Sequence, residues 1–208
     1  MTAVRFALPL LLAGLLAACG HASPAVDAHV GAIAAQSQPQ TRSVTVQGRK
    51  MAFREAGQGP TVVLLHGFPL DHRMWDGQVA ALAAHHHVIA PDLAGFGKSD
   101  ARPGTATMED DAADVHALLA QLKCPGAVVV GFSMGGYVAL AYEHAYQAQV
   151  QGLVLLGTDA DAADPGSDDT KGLLDLAGQV AAQGPKPAID AMAPIMLAAE
   201  NHDTAMAA

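Results

Sequence analysis

The stretch that most limits the fold is VVVGFSMGGYVAL, Val128 to Leu140. A β-prone run enters a glycine, presents one serine, and passes through two further glycines into a helix-like segment. Gly131 to Gly135 reads G-x-S-x-G between a strand and a helix, the context in which that pattern carries meaning. The reason is steric. A sharp strand-to-helix turn forces the serine backbone into a strained conformation, and glycines two before and two after leave space for neighbouring backbone. The hydroxyl of Ser133 then stands at the carboxyl end of a strand, beside a helix N-terminus that favours negative charge. The plain alternative is a glycine-rich turn, and the flanking elements argue against it.

The rest of the chain repeats the same alternation. SVTV and KMAFREA read as two strands joined at Gln47-Gly48. TVVLLHG is a continuous apolar run of strand length, of the kind buried on both faces of a parallel sheet. DGQVAALAAHH is helical by spacing, and HVIAPD is the next strand. TMEDDAADVHALLAQL reads as a helix with Thr107 as its N-cap and acids in its first turn, as the helix dipole prefers. GAVVVG is a strand, Met134 to about Gln147 a helix, and VQGLVLLG another strand. Strands alternating with helices mean βαβ units and a mostly parallel sheet with helices on both faces.

Both flanks of this pattern differ in character. MTAVRFALPLLLAGLLAACG carries one charge at Arg5, then an apolar run from Phe6 to Ala18. That run has the length of a signal-peptide core and is short for a membrane span. LAAC, ending at Cys19, resembles a bacterial lipoprotein box, which implies a leader over 1–18, lipidation of Cys19, and an exported protein tethered to a bilayer. An ordinary secretory signal with an incidental Cys19 is the alternative. Residues 19–40, rich in Ala, Ser, Gln and Pro, read as a tether. After Gly157 an acidic link leads into two alanine-rich helices, LLDLAGQVAAQ and PAIDAMAPIMLAAE.

Charge and cysteine usage exclude several classes. Acids outnumber bases 20 to 11, for a formal charge of −9, and there is no basic run. Nucleic acid is therefore not an expected partner. Once Cys19 is assigned to lipid, only Cys124 remains, so no internal disulfide is possible. Cys124 precedes Pro125 at a strand entrance and reads as a buried structural thiol. His85, His86 and His87 are consecutive in a helix-to-strand turn and diverge, so they do not read as a metal site. The acids of DADAADPGSDD lack calcium-loop spacing. No metal and no cofactor are expected.

Acyl transfer to Ser133 needs two donors for the developing oxyanion. The pattern supplies one from the backbone N–H after the nucleophile, Met134, and one from the loop after the TVVLLHG strand, Phe68. His66, at that strand's end, reads as a structural residue bonded to the loop.

LLHGFPLDHRMW, PDLAGFGKSD and VVVGFSMGGYVAL, in that order, resemble the α/β-hydrolase family, and its single-domain esterase, enol-lactonase and cofactor-free haloperoxidase-like members in particular. The resemblance covers Ser43 to about Gly157. It implies a three-layer α/β sandwich over 41–157 and a helical cap beginning at 158–208. It also implies a Ser133 acyl-enzyme, an oxyanion hole at Phe68 and Met134, and a small acyl substrate with water as second reactant. Asp92 within PDLAGFGKSD reads as a hydrogen-bonding loop residue. The family's triad places its acid and its histidine after later strands, which this sequence does not show. At about 30 residues per βα unit, the expectation is a sheet lacking its last two strands and a chain truncated relative to the family. Asp159 and Asp161 are candidate acids, against the reading of a solvated linker. His202 is a weak candidate base, and His144 lies too far along its helix. The open alternatives are a non-catalytic lipid-anchored scaffold, an inactive truncated product and, within the enzyme class, perhydrolysis.

Overall fold

A computed structural model describes residues 39–158, 167–184 and 186–196. Cys19, Asp159, Asp161 and His202 lie outside these residues, as does nearly all of the expected leader and tether. The described chain forms a six-stranded sheet in the order β1-β2-β4-β3-β5-β6. β1 (Gln40–Val46) and β2 (Arg49–Ala56) form an antiparallel hairpin, and β2 pairs antiparallel with β4 (His87–Pro91). β3 (Thr61–Leu65), β4, β5 (Ala127–Phe132) and β6 (Val150–Leu156) run parallel. The hairpin turn has φ of 49° at Gln47 and 79° at Gly48, two left-handed residues as a two-residue turn between twisted strands requires. Gln40 already lies in β1, so the first strand starts one residue before the boundary expected at 41.

Strand periodicity sorts the core into two layers. Val63, Leu65, Ile89 and Val129 join one cluster with Val115, Leu118 and Leu119 of α2 (Met108–Gln121) and Val138, Ala139 and Tyr142 of α3 (Met134–Tyr146). Their immediate neighbours Val62, Leu64, Val88 and Ala90 join the other, with Trp75 and with Val79 of α1 (Asp76–Leu82). Successive side chains on a strand face opposite ways, and both faces are covered, so these runs are apolar throughout and do not alternate. Fully burying a Val, Leu or Ile side chain stabilises the fold by about 1.5–3 kcal/mol. The result is the expected three-layer α/β sandwich.

α2 starts as the sequence indicates. Thr107 accepts from Asp110 N–H at 3.2 Å while the Asp110 carboxylate accepts from Thr107 N–H at 3.1 Å, a reciprocal capping box. A 3-10 turn at His72–Trp75, capped by Asp71, precedes α1 and was not foreseen. α4 (Asp168–Gln183) and α5 (Lys186–Met196) form the two expected helices and pack on each other. Among the described residues no helix is long and apolar enough to cross a membrane.

Candidate active site

Ser133 joins β5 to α3 with φ 51° and ψ −118°. A positive φ at a residue with a Cβ costs on the order of 1–3 kcal/mol and persists only where the surroundings over-determine it. Here they do so from three sides. A Cβ on Gly131 would stand 2.3 Å from the Gly135 carbonyl oxygen, and one on Gly135 would stand 2.3 Å from the Leu65 carbonyl oxygen. The third side was not read from the sequence. Ser133 N–H donates to the Leu156 carbonyl at 2.9 Å, and the Thr158 hydroxyl donates to the Ser133 carbonyl at 3.0 Å. A Cβ on Gly136 would collide with that hydroxyl at 1.9 Å. The elbow is therefore clamped between the end of β3 and the end of β6. The only sequence signal for Thr158 was a small hydroxyl residue just past a strand.

Ser133 occupies the N-cap position of α3, yet its side chain makes no capping bond. The hydroxyl is not spent on the free N–H groups of the first turn, which include that of Met134. Those groups carry the positive end of the helix dipole.

The loop after β3 lies directly against the elbow. A Cβ on Gly67 would meet the Phe132 ring at 2.8 Å and the Phe132 carbonyl oxygen at 3.2 Å. Leu70 N–H closes the loop by donating to the Gly67 carbonyl at 2.9 Å, and Phe68–Pro69 is a cis peptide. Phe68 meets Phe96 edge to face, with ring centroids 5.9 Å apart, and Phe96 meets His66 in the same manner at 5.2 Å. Thus Ser133, Met134 and the Gly67-Phe68 loop come together.

His66 is a loop anchor, as read from the sequence. It is fully buried, and its Nε2 accepts from Leu93 N–H at 3.0 Å. Nδ1 must then carry the hydrogen and donate to the Gly67 carbonyl, also at 3.0 Å. Burial pushes the imidazole pKa down, outweighing the Gly67 bond, so it remains neutral in this role.

Asp92 holds the PDLAGFGKSD loop. It is fully buried; Oδ1 accepts from His72 N–H at 2.8 Å and pairs with His72 Nδ1 at 2.7 Å, and Oδ2 accepts from Lys98 N–H at 2.9 Å. Any Cβ at Gly97 would stand 2.3 Å from Oδ2. Ligand atoms of Asp71, His72 and Asp92 lie within 4.8 Å of one another. That spacing would suit a cation, but Asp71 is gripped by the Arg73 guanidinium at 2.7 to 3.0 Å and both Asp92 oxygens are occupied. The donors serve the loop.

No histidine among the described residues hydrogen-bonds the Ser133 hydroxyl. His144 is exposed in the last turn of α3. It lies eleven residues along the helix, roughly 16 Å away by the rise per residue.

Residues 60–186 match the alpha/beta hydrolase fold family. An uncharacterised Mycobacterium tuberculosis protein is 35% identical over 126 residues, 61% of this chain and 37% of that protein. A Bacillus subtilis protein described as an AB hydrolase superfamily member is 38% identical over 111 residues, 52% of this chain and 41% of its own length. The chain therefore spans about two-fifths of the curated relatives it matches. Among solved structures, a thermophilic esterase from Thermogutta terrifontis superposes with a TM-score of 0.70 at 36% identity, covering 78% of this chain and 61% of the esterase. The enol-lactonase from Burkholderia xenovorans LB400 superposes with a TM-score of 0.71 at 28% identity, covering 78% and 62%.

Proposed function

This chain belongs to the alpha/beta hydrolase fold family, and from that premise we propose that it derives from a serine hydrolase acting on carboxylic esters. The observation that carries the reading is the strained Ser133, its hydroxyl making no capping bond at the start of α3 and the Gly67-Phe68 loop lying against the elbow. Ser133 Oγ attacks the ester carbonyl carbon, and a base removes its proton. The carbonyl oxygen becomes an oxyanion that accepts from the N–H groups of Met134 and Phe68. Collapse expels the alcohol, which takes up the proton, and water then cleaves the acyl-enzyme to release the acid. Removing one oxyanion donor typically costs a factor of about 100 to 1,000 in rate. Among the described residues no histidine hydrogen-bonds the Ser133 hydroxyl, so this reading places the base and its orienting acid outside them, with Asp159 the candidate acid that the sequence offers. An esterase and an enol-lactonase among the structural neighbours support the ester class, since a lactone is a cyclic ester.

The test uses the protein isolated from the organism that makes it. A fluorophosphonate probe should label one serine, and Ser133→Ala should abolish both labelling and hydrolysis of p-nitrophenyl acetate. Folded protein that takes up no probe overturns the proposal and leaves a non-catalytic scaffold.

A further inference from the structure

At the opposite end of the sheet from Ser133, two strands and a loop bring a thiol, an imidazole and a carboxylate into line. Glu55 is the penultimate residue of β2, His87 begins β4, and Cys124 lies between α2 and β5. β5 separates Cys124 from Ser133 by about 20 Å at the usual rise per residue. Register aligns the site: Thr61 is paired with His87 on one side and with Ala127 on the other. Cys124 N–H donates to the Leu119 carbonyl at 2.9 Å, which fixes the thiol's backbone. Its Sγ stands 3.7 Å from His87 Nδ1, and His87 Nε2 stands 2.7 Å from Glu55 Oε1. The other Glu55 oxygen pairs with the Arg42 guanidinium. Arg42, Glu55 and His87 line a surface hollow of about 430 Å³; Cys124 is 9% exposed, packs with the core and meets the hollow through the His87 imidazole.

A cysteine that merely fills the core has no use for this arrangement. A nucleophile, a base within hydrogen-bond reach and a third group orienting that base together activate a weak nucleophile. We propose that Cys124, His87 and Glu55 form a reactive thiolate site, separate from Ser133, that takes soft electrophiles and small disulfides. In the disulfide case the Cys124 thiolate attacks one sulfur of the incoming molecule. A Cys124 S–S bond forms, the other sulfur leaves with the electron pair, and the imidazolium of His87 protonates it. The net change is one thiol and one disulfide exchanged for a mixed disulfide and a released thiol, with no external oxidant.

The charged groups around the thiol agree with this. Burial raises the Cys124 pKa, but the bonds from His87 and the Thr61 hydroxyl outweigh it, and the net shift is downward. His87 is raised to about 9, first by Cys124 and then by Glu55. Glu55 is lowered, chiefly by its bond to His87 and further by Arg42. Tyr142, the titratable group of α3 that senses the thiol, is pushed up to about 12 by burial and stays neutral. The thiolate and the imidazolium therefore stabilise each other, as low-pKa cysteines beside a protonated histidine do.

The experiment follows iodoacetamide alkylation of the folded chain between pH 5 and 10, read by the mass of the Cys124 peptide. The rate should reach half its maximum below about pH 8.5, the ordinary thiol value. His87→Gln should move the inflection to 8.5 or above and slow alkylation at pH 7 by about tenfold or more, one pKa unit being a tenfold change in thiolate fraction. Glu55→Gln, which keeps the imidazole, should give an intermediate profile, so the idea remains testable if His87→Gln does not fold. Hydroxyethyl disulfide should give a mixed disulfide at Cys124 that dithiothreitol reverses. Ser133→Ala should leave every one of these readings unchanged, whatever becomes of the ester reading. A wild-type inflection at or above pH 8.5, or profiles identical in wild type and both variants, overturns the proposal.

Discussion

At the scale of single residues, the elbow shows how one strained backbone is held by its neighbours. Gly135 must approach the Leu65 and His66 carbonyls, and an added Cβ would lie 2.3 and 2.6 Å from their oxygens. These are backbone atoms of a central strand and its loop, and they cannot swing aside as a flexible side chain can. Gly135→Ala should therefore destabilise by about 2–3 kcal/mol, the range of overpacking in a tight site. For a chain of this size that is a fall in Tm of about 4–12 °C. Gly172, in α4, has nothing within 4 Å of its would-be Cβ. Gly172→Ala should be neutral or slightly stabilising, because alanine is the better helix former by about 0.8–1 kcal/mol. Thermal melts of the two variants side by side check this contrast. Equal losses in both would mean that the close approach to Leu65 is not what the elbow glycine provides.

At the scale of elements, α2 departs from the expectation that all its first-turn acids serve the dipole. Asp110 does so, in the capping box with Thr107. Asp111 instead turns inward: it is 5% exposed, and among the described residues its Oδ1 has no hydrogen-bond partner. Burial raises its pKa from 3.8 to about 6, and the Asp114 and Asp110 charges add to this while Arg102 opposes it. A carboxyl whose folded pKa exceeds its unfolded one binds its proton more tightly when folded, so it costs stability once ionised. That cost is full above about pH 6 and disappears as pH falls towards 3.8. Its size is on the order of 3 kcal/mol by linkage. Asp111→Asn should therefore stabilise the chain at pH 7.5, and its advantage over wild type should shrink by pH 5. Urea unfolding at both pH values reads this, and an advantage that grows on acidification would refute it. The same helix marks what was legible in the sequence. The Thr107 cap, the strand runs and the elbow depend on spacing within a dozen residues, and spacing is written in the chain. The inward turn of Asp111, the Thr158 clamp and the Glu55–His87–Cys124 line depend on strand order and register. The Thr158 clamp and the Glu55–His87–Cys124 line join residues 25 to 69 positions apart, and local periodicity carries no trace of them.

At the scale of the whole molecule, the sheet presents two different edges. β1 at one edge is amphipathic, and Arg42 and Thr41 on it engage Glu55 and Arg54 of β2. β6 at the other edge pairs with β5, and among the described residues no strand pairs with its outer side. Leu153 and Leu155 pack against the α2–α3 core, whereas Val154 and Leu156 are each 41% exposed on the opposite face. An exposed apolar edge strand with free N–H and C=O groups is a template for pairing with another copy. The 208-residue chain should therefore self-associate as its concentration rises into the micromolar range. Val154→Lys should return it to a monomer, because a charge on an edge strand is costly to bury between two copies. Val154 does not contact the Ser133 elbow in any bond described above, so the substitution tests the edge and leaves the site alone. Light scattering coupled to size-exclusion chromatography, with wild type and Val154→Lys loaded at matched concentrations, separates the outcomes. A wild-type chain that remains monomeric at about 100 µM would show that this edge is protected after all. Association that survives Val154→Lys would move the contact elsewhere, with Leu173 and Leu174 of α4, 68% and 66% exposed, the next surface to substitute.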